Sequence, residues 1–226
     1  MTPSTSLSAP PRRTRRIVLV ALILLVVAIG AFAVRRSLLM SAPRCLTGHW
    51  SGCYDTQNGV VLMTLVGLPV AALVARTLAR RRPPGDLTPV RKSLAEVAMV
   101  YGTAPFIWMT MMPGSGAGIV PGRVSLVPLR DLATMGPIGI GGNLLVLAAL
   151  GFFAPIRFAA MASLPRLLAL GAGCSILIET AQYVLRLDRV SSVDDVLVNA
   201  TGAVLAGLAS RRWWRTGTAP ADGGRS

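Results

Sequence analysis

The chain has 226 residues, 53% hydrophobic and only 14% charged, with a mean hydropathy of +0.60. Soluble domains carry about a quarter charged residues, and one core could not hide several uncharged stretches of about 20 residues, so a soluble globular class is excluded. The net charge of +14 comes from 23 Lys+Arg against 9 Asp+Glu. Its arginines sit between apolar runs, where membrane topology places them, and no aromatic-basic surface motif points to nucleic acid.

Residues 1–16, MTPSTSLSAPPRRTRR, read as a disordered basic tail. Ile17 to Val34 then runs without a charge. Arg12, Arg13, Arg15 and Arg16 before it, and Ala31-Phe32-Ala33 near its end, would suit a signal peptide. The run of 18 residues is longer than the usual apolar region of roughly 7–15, so the preferred reading is an uncleaved first span.

Five more spans are expected, over Val60 to Ala79, Leu94 to Met112, Ile138 to Pro155, Leu167 to Leu185, and Val193 to Ala209. Glu96 is expected to be a rim carboxylate near Arg91 and Lys92. With the N-terminus inside, sixteen basic residues face the cytoplasm and seven, from Arg35 to Arg189, face outward. That asymmetry favours both termini inside. The expected fold is an all-α polytopic bundle of about six spans. It divides into the tail 1–16, a transmembrane hairpin 17–92, a main transmembrane domain 93–210 and a cytoplasmic tail 211–226.

The first outer loop reads CLTGHWSGC. Cys45 and Cys53 are expected to form a disulfide, because that compartment is oxidising. Cys45, His49 and Cys53 also have metal-ligand chemistry, but three ligands without a fourth are weak grounds for zinc. Two free thiols are the third reading.

The richest stretch is ETAQYVLRLDRVSSVDDVLVNATG, residues 179–202. Glu179 lies twelve residues beyond Leu167, about 18 Å along a helix, in the outer half of the fifth span. Gln182 shares its face. Asp194 and Asp195 open the sixth span, with Asn199 one turn deeper, and Asn143 is near the outer end of the fourth. All converge on the outer half of the bundle. A carboxylate inside a span costs a few kcal/mol unless paired or wetted, so Glu179 is a functional candidate with Arg189 or Arg186 as its expected partner. The structural alternative is a capping box of Ser192 and Asp195 together with polar pairing between helices.

These residues resemble the VanZ-like family of small bacterial membrane proteins. The resembling segments are VSLVPL at Val124 to Leu129, GGNLLVLAALGFFAP at Gly141 to Pro155, ETAQ at Glu179 to Gln182, and RVSSVDDVLVNATG at Arg189 to Gly202. The family's Phe-x-Pro is replaced by Leu147, Ala148 and Ala149, so the kink it would give is expected to be missing. Ser125 and Ser192 replace an Asn and an acid. The resemblance carries over ligand-binding positions Asn143, Glu179, Gln182, Arg189, Asp194, Asp195 and Asn199. It implies a multi-pass protein of the bacterial plasma membrane, with a cell-envelope role linked to teicoplanin-type glycopeptide resistance.

Three functions compete. The first is binding of membrane lipid or a lipid-linked cell-wall precursor at the outer polar site. The second is an intramembrane enzyme using Glu179 and Asp195 as acid and base. The third is a proton-coupled carrier with Glu179 titrating, against which no internal repeat is visible. The cluster contains no His, no Ser-x-x-Lys, no metal-ligand set and no phosphate loop, so neither metal nor cofactor is expected.

Overall fold

The computed structural model describes residues 12–48, 52–81 and 87–214. They form two compact units that divide between Leu62 and Met63. The elements are α1 (Arg12–Leu46), α2 (Gln57–Arg80), α3 (Leu87–Thr110), β1 (Arg123–Ser125), α4 (Leu132–Val146), α5 (Ala148–Arg157), α6 (Leu164–Val184), β2 (Val190–Ser192) and α7 (Val193–Ser210).

Four helical stretches among the described residues are long and apolar enough to cross a membrane: Gln57–Arg80, Leu132–Arg157, Leu164–Val184 and Val193–Trp213. The first and third expected spans form helices α1 and α3. Glu96, Gly102, Thr103 and Pro105 dilute the apolar character of α3. Along α1, Ile17, Leu24, Ile29 and Phe32 are all more than half exposed, an apolar surface suited to lipid.

In the first unit Cys45 and Cys53 are bonded to each other, with Cα atoms 5.5 Å apart. His49 lies outside the described residues. Thr56 starts α2, its hydroxyl accepting the Gly59 N–H at 3.1 Å.

In the second unit α7 is the central helix and packs against α4, α5 and α6. Small residues make this possible. A Cβ on Gly202 would lie 2.0 Å from the Leu144 carbonyl oxygen, and one on Gly151 would lie 2.1 Å from that of Ala203. Without a hydrophobic force between helices in lipid, such close backbone approach gives the packing contacts that hold them together. Val146, Leu147, Ile178 and Ala203 form the buried core beside Phe106 and Leu150.

The expected fourth span is two helices. The chain leaves helical geometry at Leu147 (φ −113°, ψ 11°) and again at Gly136 (φ 67°, ψ 166°). The kink expected to be missing is therefore present without its proline. Leu147 is fully buried between the Leu144–Gly202 and Gly151–Ala203 approaches. Bending there lets one stretch of chain follow α7 at both contact points.

Glu96, the expected rim carboxylate of α3, pairs with Arg157 of α5. Arg91 donates to the Trp213 carbonyl. A further departure from all-α is a two-stranded parallel sheet, with Arg123 opposite Val190, Val124 opposite Ser191 and Ser125 opposite Ser192. These segments precede α4 and α7, and their pairing brings the starts of those two helices together while satisfying the backbone groups of both loops.

Candidate functional site

The end of α3, the starts of α4 and α7, and the second half of α6 meet at one end of the second unit. Helix ends carry orphan N–H and C=O groups, and most of the polar residues here answer that need.

Asp194 is 1% exposed and is the clearest case. Its Oδ1 accepts the Leu129 N–H at 2.6 Å, and its Oδ2 accepts those of Asp131 at 2.9 Å and Leu132 at 3.0 Å. A carboxylate from α7 thus caps the start of α4, where the helix dipole also favours negative charge. It holds Leu129 in a left-handed conformation (φ 66°) that a branched residue rarely adopts.

Gln182 and Arg189 answer the opposite need at the end of α3. Gln182 Nε2 donates to the Thr110 carbonyl at 3.0 Å. Arg189 donates from Nε to Met112 O at 3.2 Å and from Nη2 to Met109 O at 3.4 Å. A cation is favoured at a helix C-terminus. This corrects the expected Glu179–Arg189 pair: the guanidinium is taken up by α3 carbonyls and acts on Glu179 only through space. Among the described residues, the ion pairs are Arg123–Asp188 and Arg157–Glu96, so Arg186 does not pair with Glu179 either.

Glu179 is buried, and its Oε2 accepts the Ser192 N–H at 3.0 Å. Its own carbonyl accepts the Ser191 hydroxyl at 2.8 Å. Ser192 is the N-cap of α7, accepting the Asp194 N–H at 3.2 Å and donating to Asp131 Oδ2 at 2.6 Å. Ser192 is thus a simple N-cap bonded to Asp194, and not the expected capping box with Asp195. Asp195 does not reach back to complete it, because its Oδ1 accepts from Asn143 Nδ2 at 2.6 Å and ties α7 to α4. One turn deeper, Asn199 Nδ2 donates to Ser175 Oγ at 2.8 Å and ties α7 to α6.

Two residues that the sequence reading passed over belong here. Asp131 lies immediately before the apolar run of α4, a helix-start signal visible in the sequence. The hydroxyls of Ser125 and Ser192 hold its carboxyl below the usual range. Asp188 accepts the Gly116 N–H at 2.9 Å and pairs with Arg123 at 3.2 Å, joining two loops distant in sequence. No local pattern marks it.

Beside this polar cluster runs a groove of about 340 Å³ between α6, α7 and the two strands. Its walls include Val124, Leu126, Ile176, Tyr183 and Val196, and Glu179 lines it with Ser191 and Ser192. Leu126 is 76% exposed and Ile176 53%, so apolar side chains rim its mouth. Of the seven carried-over positions, Glu179 is the one that lines this groove. Among the described residues, no group of three or more His, Cys, Asp or Glu side chains could hold a metal ion.

Apolar helices of membrane-spanning length, knitted together at one end by buried carboxylates and amides, define a helical membrane protein with a polar site beside a largely apolar groove. The chain belongs to the VanZ/LLP1 family, whose model matches residues 97–214. That match covers α7 with its Asp194, Asp195 and Asn199, and most of α3. Comparison with curated proteins and with solved structures returns no match.

Proposed function

We propose that this VanZ-family membrane protein binds a lipid-linked wall component in the groove beside Glu179, on the extracytoplasmic face of the bacterial plasma membrane. By doing so it lowers susceptibility to teicoplanin-type glycopeptides. The observation that carries this reading is the position of Glu179. It is a buried carboxylate at the wall of an otherwise largely apolar groove, with Arg189 turned away to other partners. A carboxylate there accepts hydrogen bonds from hydroxyl or ammonium groups, which a sugar or peptide head supplies, while the apolar walls suit a tail. Its neighbours Asp194, Gln182 and Arg189 support it by fixing helix ends, and Asn199 by tying α7 to α6.

The topology that goes with this function has six spans and both termini in the cytoplasm. It is supported by the sixteen-to-seven distribution of basic residues. A reporter fused near Gly118 is expected to read external and one at Asp86 cytoplasmic. An external reading at Asp86 would put the Glu179 groove on the wrong side.

Glu179→Gln tests the function. The change keeps one oxygen for the Ser192 N–H, so the protein is expected to fold and to melt within about 1 kcal/mol of wild type. It is expected to lose co-purified lipid in native mass spectrometry and to lose protection against glycopeptide. A stable Glu179→Gln protein that retains both would remove Glu179 from the function.

A further inference from the structure

A second groove of about 350 Å³ lies on the same α6–α7 seam, lined by Leu164, Pro165, Leu168, Thr201, Val204 and Leu205. The wall residues of the two grooves fall in one stripe on α6: Pro165 and Leu168 in the second, then Ile176, Glu179 and Tyr183 in the first. Residues spaced by threes and fours lie on one helix face. Ala172, half-buried, occupies the interval in that stripe, and its single methyl group adds little bulk between the grooves. From Pro165 to Tyr183 the stripe is about 27 Å long at 1.5 Å per residue, close to the roughly 30 Å of a hydrocarbon core.

Set across a hydrocarbon core of that thickness, the two grooves fall in opposite halves, and only one has a carboxylate. Leu168 and Glu179 are about 16 Å apart along α6, about the thickness of one leaflet's hydrocarbon. The far groove has Thr201 as its one side-chain hydroxyl and no charge in its lining. The nearest cation in sequence, Arg166, donates to the Ala160 carbonyl at 2.7 Å. Nothing in that lining selects a second head group.

Building on the proposed function, we infer that the two grooves hold one lipid. Its hydrogen-bond-donating head lies at Glu179, and its tail is longer than one leaflet and crosses the midplane along the α6–α7 seam. The chemical class with such a tail is the polyisoprenyl lipids.

Binding of two prenols, farnesol and undecaprenol, to the full-length protein in detergent tests this. Both present the same hydroxyl and differ in tail length. Undecaprenol is expected to bind roughly tenfold more tightly than farnesol. Leu168→Trp, at a half-exposed position, is expected to reduce undecaprenol to the farnesol level and to leave farnesol unchanged. Leu205→Trp, also on the far groove, should repeat that result. Glu179→Gln should weaken both ligands. Farnesol and undecaprenol binding equally, with dependence on Glu179 intact, would overturn the single long tail and leave the head site standing. Neither prenol binding in a Glu179-dependent way would overturn both readings.

Discussion

Replacing Asp194 with alanine is expected to destabilise the family domain by about 3–5 kcal/mol, as read by thermal unfolding in detergent. Three backbone N–H groups, on Leu129, Asp131 and Leu132, end on its two oxygens. Each buried donor left without an acceptor costs about 1–3 kcal/mol. Partial access of water to the exposed Leu129 segment keeps the sum below three full penalties. Asp194→Asn keeps one acceptor oxygen but turns an NH₂ group toward backbone N–H donors, so a loss of about 2–3 kcal/mol is expected. The loop before α4 should loosen in both variants and show faster hydrogen exchange at residues 129–132. Unfolding of Asp194→Ala within about 0.5 kcal/mol of wild type would show that the α4 start does not depend on this carboxylate.

Gly202→Ala should be comparably damaging for a different reason. Its Cβ would sit 2.0 Å from the Leu144 carbonyl oxygen, a contact with backbone that no rotamer can relieve. Overpacking costs about 1–3 kcal/mol where side chains can adjust, and the upper end or more applies here because α4 itself must move. Gly173→Ala is the matched control. Nothing lies within 4 Å of its Cβ position, and it is a helix-interior glycine on exposed α6 surface. It should stabilise slightly, by up to about 1 kcal/mol from helix propensity. If both substitutions have the same effect, the tight α4–α7 approach is not what holds these helices together.

The membrane class was legible because charge deficit and apolar run length follow directly from the bilayer's solvent properties. The convergence of Asn143, Glu179 and Asp195 was legible too, since helical periodicity and the antiparallel run of neighbouring spans bring them to one level. Their individual partners were not. A sequence shows that Arg189 is a cation near Glu179, but not that the end of α3 presents three carbonyls to Arg189 and Gln182. Asp194 looked like a first-turn acid of its own helix, and it serves the first turn of another. The break at Leu147 was hidden for a related reason. Its cause is the fit of α4 and α5 to two glycine contacts on α7, not a proline in the chain. The parallel pairing of β1 and β2 joins segments of three residues, too short for a period-two pattern to declare itself.

The most direct test of the central claim, that Glu179 anchors a lipid in the α6–α7 groove, is site-specific photo-cross-linking in native membranes. A benzophenone side chain would be placed at Thr180, which lines the groove, or at Leu177, which is 70% exposed and outside its lining. Adducts at Thr180 should carry one defined lipid and disappear when Glu179→Gln is added, while those at Leu177 should reflect bulk lipid and stay unchanged. Equal and unselective labelling at both positions, unaffected by Glu179→Gln, would contradict the claim.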